Sequence, residues 1–511
     1  MTAPSIRLSE QMLRRRPVIG APVAHGASDH LKRSIGTFRL MMFGVGATVG
    51  TGIFFVLAEA VPEAGPAVII SFIMAGIAAG LSAICYAELA SAVPVSGSTY
   101  SYAYTTLGEF VAMGVAACLL LEYGVSISVV SVGWSGYLNE LLNNLFGFQI
   151  PQLLSAAPWD ADPGVINLPA VILIAMCALL LIRGASESAL VNTIMVIIKL
   201  AVLLMFVVIA LTAYNSDHFA GFWDSGIGGI TLAAGSIFFT FIGLDAVATA
   251  GDEVKDPQRT MPKAIIGALV IVTTVYLLVA ISALGSQPTA EFGSEEQATA
   301  GLAVILRNIT GGTWAGTVLA AGAVISIFSV TLVVMYGQTR ILFAMGRDGL
   351  LPSMFAKVNP RTMTPVGNTI IVAAVCALLA GFVPLEYLWD LVSIGTLVAF
   401  IVVSIGVVVL RVRQPDLPRG FKVPLYPITP ILAVLACAAV LFSLPAITWF
   451  WFGAWVAVAL LFYLFWSRRH SALNAGGADG YIPTAIAGDD DVMFVEEPKD
   501  HDFVSPPKDE P

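Results

Sequence analysis

Charge is what this sequence has least of. Only 12% of its 511 residues are Asp, Glu, Lys or Arg, and 57% are hydrophobic, whereas a soluble domain carries about 25% charged residues. A soluble fold cannot hide that much apolar side chain, because surface grows too fast with size. Lipid must be part of the solvent, and a large soluble enzyme is excluded. Histidine is missing from the apolar runs: His25, His30, His218, His470 and His501 all lie outside them. That removes an intramembrane histidine metal site or proton relay. Cysteine is sparse, and Cys85, Cys118, Cys177, Cys376 and Cys437 sit inside apolar runs without a CxxC pair. They read as small buried hydrophobes, not disulfides or metal ligands. No GxxxxGK[ST] phosphate loop occurs, which argues against an ATP-driven pump. No HExxH or GxSxG occurs either, leaving a membrane-embedded enzyme without a catalytic constellation. No cofactor, metal or nucleic-acid partner is expected. Residues 1–37 are polar, include Arg14, Arg15 and Arg16, and read as a cytosolic arm, not a secretory signal.

The long apolar runs are what is present. A spanning helix needs about 20 mostly apolar residues. Twelve candidates follow, at roughly 38–60, 66–92, 110–137, 165–182, 189–213, 230–250, 263–284, 314–339, 367–382, 387–410, 427–443 and 447–466. With the N-terminus inside, the cytoplasmic loops hold Arg183, then Lys255, Arg259 and Lys263, then Arg340, Arg347, Lys357 and Arg361, then Arg411, Arg413, Arg419 and Lys422. Arg468 and Arg469 follow the last span, and the external loops hold only Arg307. This asymmetry meets the positive-inside rule and predicts both termini in the cytoplasm. The net charge of −9 belongs to the tail: residues 471–511 carry ten of the 34 acidic residues and two of the 25 basic ones. Rich in Gly, Asp, Glu and Pro, that tail reads as disordered. The organisation expected is an arm over 1–37, a core of spans 1–10 over 38–410, accessory spans 11–12 over 411–470, and the tail.

Two spans contain residues that a plain lipid-facing helix does not want. The first reads Gly44-Val-Gly46-Ala-Thr48-Val49-Gly50-Thr51-Gly52-Ile-Phe54, and each glycine costs a continuous helix about 1 kcal/mol. Close helix packing is one reason for such glycines. The other is an unwound segment whose free N–H groups, at the start of its second half, face a carboxylate. The sixth span reads Phe238-Phe239-Thr240-Phe241-Ile242-Gly243-Leu244-Asp245, and an aspartate in hydrocarbon costs about 3 kcal/mol unless it is paired or lines a cavity. The two spans lie five apart, as expected if spans 1–5 and 6–10 are inverted repeats that each open with a discontinuous helix.

Further motifs occur in order: Pro94–Tyr104 (PVSGSTYSYAY), Leu121-Glu122-Tyr123, Gly133-Trp-Ser-Gly-Tyr137, Asp252–Arg259 (DEVKDPQR) and Tyr336–Pro352 (YGQTRILFAMGRDGLLP). Together with Gly44–Phe54, over about residues 32–470, the chain resembles the amino acid–polyamine–organocation superfamily. Within it, the chain is similar to the twelve-span bacterial form of the cationic amino acid transporter family. The resemblance implies a LeuT-type fold, an all-α integral membrane protein in the cell membrane, and an amino acid as substrate. It implies that the substrate carboxylate meets N–H groups around Val49–Gly52. The ammonium would meet carbonyls near Thr48 and in Phe239–Ile242. Members carry neutral as well as cationic amino acids, so the substrate, the stoichiometry and the oligomeric state stay open.

Lys199 stands mid-span in NTIMVIIKLAVLL, about ten residues or ~15 Å from its cytoplasmic end. That is far to snorkel. It reads either as a structural cation paired with a carboxylate or as a titrating lysine. The resemblance supports the second reading, with the lysine standing where sodium binds in sodium-coupled members and a proton as the coupling ion. Such an ammonium would bridge span five to the broken first span and to Ser326 or Ser329 on span eight. Glu122 is a packing or network acid, or the partner of Lys199, and Asp245 joins the same network. Glu88 is structural or part of a gate. Asp252 and Glu253 are expected to pair with Lys255, Arg259 or Arg340. Phe239 or Phe241 is expected to close over the substrate. The leading expectation is a proton-coupled symporter working by alternating access. An exchanger or uniporter for amino acids or polyamines is the alternative.

Overall fold

The computed structural model describes residues 11–16, 33–160, 163–293, 295–383, 385–442 and 446–474. The described residues are helical, apart from turns, loops and one isolated parallel bridge between Ile35 and Val254. Seven helical stretches are long and apolar enough to cross a membrane, and five shorter apolar helices accompany them. Each of the twelve expected segments contains helix, and the first and sixth are the interrupted ones. The tail from residue 475 and residues 17–32 of the arm lie outside the described residues.

The first segment is α1 (Thr37–Thr48) and α2 (Thr51–Ala64), separated at Val49 and Gly50. The next helices are α3 (Val68–Ala92), a short α4 (Thr99–Thr106) and α5 (Glu109–Phe146). They are followed by α6 (Leu168–Arg183) and α7 (Ala185–Thr212). The sixth segment is α8 (Gly226–Phe238), a 3₁₀ turn over Phe239–Phe241, and a 3₁₀ helix over Leu244–Glu253. Ten residues of 3₁₀ helix are unusual, since runs beyond three or four residues mark hinges or strain. The remaining helices are α9 (Pro257–Ser286), α10 (Glu295–Thr310), α11 (Trp314–Arg347), α12 (Val366–Phe382), α13 (Leu385–Arg413), α14 (Ile428–Leu441) and α15 (Ala446–Phe462).

Several helices differ from the expectation, among them α11, which runs eight residues past its expected end at 339 and takes in Arg340 and Arg347, expected in a loop. The third runs nine residues past its expected end at 137, to Phe146. The stretch between the seventh and eighth expected spans, expected as an external loop, contains α10, which packs on α2 and α11. The loop after α3 contains α4, all eight residues of which are buried. Apolar-run counting finds spans, so it misses short helices that bury themselves against protein.

The interrupted segments lie against each other at the centre. α9 packs on α3 and α1, α7 on α1 and α11, and α5 on α11 and α13. α14 and α15 pack outside this group, on α3, α13 and α5. The loop before α14 is held by Glu88, at the end of α3, whose side chain is fully buried. Its carboxylate accepts Arg411 Nε at 2.8 Å and Nη2 at 2.5 Å, and the Val423 N–H at 2.6 Å. Arg419 Nε adds an ion pair at 3.4 Å. Removing one member of a buried ion pair costs about 3–5 kcal/mol because it strands the other charge. Glu88→Gln should therefore unfold markedly earlier on heating in detergent while the apparent KM of uptake holds. An unchanged unfolding midpoint with lost uptake would instead make Glu88 part of a gate.

Candidate functional site

A helix break exposes backbone groups that must be paired elsewhere. At the first break, Val49 and Gly50 leave helical geometry, with φ/ψ of −76°/84° and −119°/−145°. The freed carbonyls are taken by side chains from neighbouring helices. Lys199 Nζ, on α7, donates to Gly46 O at 3.0 Å, Val49 O at 2.6 Å and Ser329 Oγ at 2.9 Å. Ser326, also on α11, donates to Val49 O at 2.9 Å. Thr48 Oγ1 donates back to Gly44 O. On the other side of the break, α2 starts at Thr51 with no side-chain cap, so its first N–H groups are left as donors. Of the N–H groups expected to face a carboxylate around Val49–Gly52, those of Val49 and Gly50 are bonded within the chain, to Val45 O and Thr48 O at 2.9 Å each.

Lys199 is fully buried, and no carboxylate lies within ion-pair distance of it among the described residues. An ammonium has three donors and no acceptor, and here three oxygens receive them. The geometry thus brings Lys199 to the first break and to α11. Glu122 is placed elsewhere: it accepts a short bond from Thr396 on α13 and is not the partner of the lysine. Asp245 accepts a short bond from the hydroxyl of Tyr123, the neighbour of Glu122 in sequence. One oxygen of each carboxylate, Glu122 Oε2 and Asp245 Oδ1, is buried without a hydrogen-bond partner.

The two breaks touch directly. Gly243 has φ of 104°, and a Cβ there would fall 2.8 Å from Ala47 O. Only glycine allows that backbone and that approach. Tyr276, on α9, spans the junction: its hydroxyl lies 2.9 Å from Thr48 O and 3.0 Å from Thr240 O. Thr240 also packs on the first segment, where a Cβ on Gly52 would come within 2.9 Å of its methyl group. Val330, on α11, closes on Gly50 in the same way, at 2.9 Å. Phe241 is buried edge-on to Tyr276 and reaches toward Gly76 on α3. The side chains of Phe239 and Thr51 lie outside the described residues, and Ile242 is half-buried. Ala79, Ala83, Tyr86, Leu244, Ile265 and Phe400 close tightly around Asp245.

Tyr276, Asn192 and Val330 were not singled out by sequence reasoning. Asn192 stands two turns before Lys199 on α7 and donates to Met42 O at 3.0 Å, so one face of α7 holds α1 at two levels. The available signal was that spacing of seven between an amide and an ammonium in an apolar run. Tyr276→Phe removes the hydroxyl shared by the two breaks. A hydrogen bond between buried groups contributes about 1–1.5 kcal/mol, so uptake should fall about tenfold with insertion unchanged. Parent-level uptake would show that the breaks do not need this bridge.

At the end of the molecule where α1 begins, acids and bases pair. Arg340 donates to Glu253 at 2.7 Å with both side chains fully buried, and Tyr336 donates to the same oxygen at 2.8 Å. Arg347 pairs with Asp252 at 2.8 Å. Burial raises the Asp252 carboxyl, but the Arg347 guanidinium, a backbone hydrogen bond from Ser96 and the charge of Arg16 together hold it below its ordinary range. Lys255 joins through its backbone N–H, which bonds Ile35 O at 2.9 Å.

Residues 35–467 match the family described as amino acid permease. The chain is 41% identical over 452 residues to the methylthioribose transporter of Bacillus subtilis (strain 168), covering 88% of this chain and 97% of the relative. It is 41% identical over 466 residues to the branched-chain amino acid permease BcaP of the same organism, covering 91% and 99%. It is 34% identical over 416 residues to cationic amino acid transporter 4, vacuolar, of Arabidopsis thaliana, covering 79% and 68%. The family and the apolar helices agree, and the chain belongs to the amino acid permease family of the amino acid–polyamine–organocation superfamily, as a multi-pass membrane protein.

Proposed function

We propose that this protein is a secondary active amino acid permease that couples uptake to protons. The observation that carries the reading is the position of Lys199, whose three donors join Gly46 O, Val49 O and Ser329 Oγ. Protonated, the amine ties α7 and α11 to the broken first segment. Deprotonated, it has one donor fewer, and one of those oxygens loses its partner. The tie loosens, and the first segment is freed to move. In this reading twelve helices span the plasma membrane with both termini cytoplasmic. Spans 1–5 and 6–10 form inverted repeats around the two breaks. The substrate carboxylate sits at the N–H groups of Thr51 and Gly52 and its ammonium at Thr48 O and Thr240 O.

The cargo proposed is a neutral, branched-chain amino acid. Two lines support this: the similarity to BcaP over nearly its whole length, and a first break at which no carboxylate pairs with Lys199 among the described residues. Uptake into sodium-free liposomes, with and without an imposed pH gradient, tests both parts. Labelled isoleucine should accumulate only with the inside alkaline, and arginine should not compete. Accumulation that requires sodium would overturn proton coupling. Competition by arginine or methylthioribose but not by isoleucine would overturn the cargo.

A further inference from the structure

Residues 11–16 are docked on the buried helix α4, far from them in sequence. Arg16 N–H bonds Tyr104 O at 3.2 Å and Glu109 N–H bonds Arg14 O at 2.8 Å, so the segment is held by backbone at both sides of the α4–α5 turn. Two carboxylates then join this segment to residues near the other end of the described chain. Glu109 receives Arg14 at 3.4 Å, Tyr104 OH at 3.0 Å and Ser471 Oγ at 2.6 Å. Asp348 receives Arg16 at 3.5 Å and Tyr100 OH at 2.9 Å, and its carbonyl accepts Ala472 N–H at 3.0 Å. The packed region therefore continues past residue 470.

The opposite side of the same loop touches the sixth segment. A Cβ on Gly251 would fall 2.5 Å from Val95 O, and Ser98 Oγ donates to Asp245 O at 3.4 Å. A Cβ on Gly97 would come within 2.9 Å of Ala344 at the end of α11. The loop 93–98 is thus a wedge under the 3₁₀ half of the sixth segment, and α4 is its base. Opening this end of the protein requires the 3₁₀ half and α1 to part from the wedge, or the wedge to yield.

We propose that residues 11–16 are an inhibitory strap: docked, they clamp α4 and the wedge in place and slow opening on this side. Each bond that must yield adds its share to the barrier, a charged one more than a neutral one. The Arg16–Asp348 pair is partly exposed, with the Arg16 side chain 20% accessible, so the strap can be released from solution. The direction of this effect on transport rests on the transport reading above.

The test compares the parent with a chain lacking residues 2–16. Turnover per folded carrier in liposomes should rise about fivefold, within the range of ordinary conformational coupling, with the apparent KM moving less. A free peptide of residues 1–16 on the same side should restore the parent rate. A second readout needs no substrate. The five native cysteines are buried, so Val95→Cys can be labelled with an impermeant maleimide, and labelling should quicken when the strap is removed. Should the shortened chain fail to insert, Arg14→Gln with Arg16→Gln is judged by the same two readouts. Unchanged or slower labelling overturns the strap whatever the substrate proves to be. Faster labelling without any amino acid uptake, even in the parent, overturns the transport reading alone.

Discussion

Lys199→Arg is expected to bind substrate yet fail to concentrate it. Arginine keeps the charge but does not release a proton in proteins, and its planar fork does not match three oxygens set around one nitrogen. If the proton leaves and returns at Lys199 on each cycle, a permanent cation freezes the tie between the first break, α7 and α11. Lys199→Ala fails for another reason. It leaves Gly46 O without its closest donor and Val49 O with Ser326 alone, and each buried acceptor that loses a bond costs about 1–3 kcal/mol. Accumulation should drop at least about 100-fold in both variants, the equivalent of ~3 kcal/mol, while substrate still raises the thermal stability of each. Concentrative uptake by Lys199→Arg with the parent's pH dependence would make the lysine a structural cation.

The second large effect belongs to the glycines at the start of α2. Gly50→Val and Gly52→Val should abolish uptake without preventing insertion. The structure shows why this test needs a control. Each added Cβ meets a methyl group at 2.9 Å, that of Val330 in one case and of Thr240 in the other. Overpacking alone costs about 1–3 kcal/mol, so loss of uptake could follow from crowding. Gly50→Ala combined with Val330→Ala removes the crowding and keeps the obstruction over the N–H groups. Uptake in that double variant should stay below about a tenth of the parent's, since a blocked charge-assisted bond to the carboxylate is worth about 1.5–3 kcal/mol. Full recovery would reduce Gly50 to a packing residue.

How far the site was legible follows from the solvent. In lipid, a single ammonium such as Lys199 or four glycines in nine residues stand out against a uniform apolar background, and both lie at the first break. The pairing of Ser326 and Ser329 with that break was accessible for the same reason. Tyr276 and Asn192 were not, because tyrosines and amides are common in these helices and only the fold shows which ones meet a freed carbonyl. Glu122 was left open between several roles, since a carboxylate in an apolar run predicts a partner but not which helix supplies it, here α13. The docking of Arg14 and Arg16 was hidden because a short polar arm has no periodicity to read.

The ten-residue 3₁₀ stretch of the sixth segment has a consequence in length. At about 2.0 Å per residue it reaches ~20 Å, whereas the same residues wound as an α-helix would reach ~15 Å. Leu244–Glu253 is therefore about 5 Å longer than it would be as α-helix. Its far end is Glu253, whose carbonyl accepts the N–H groups of Ser34 and Ile35 at 2.9 and 3.0 Å. Winding this stretch tighter or looser would draw the start of α1 up or let it down, so the two interrupted segments can shift together at one end while the touching breaks stay where they are.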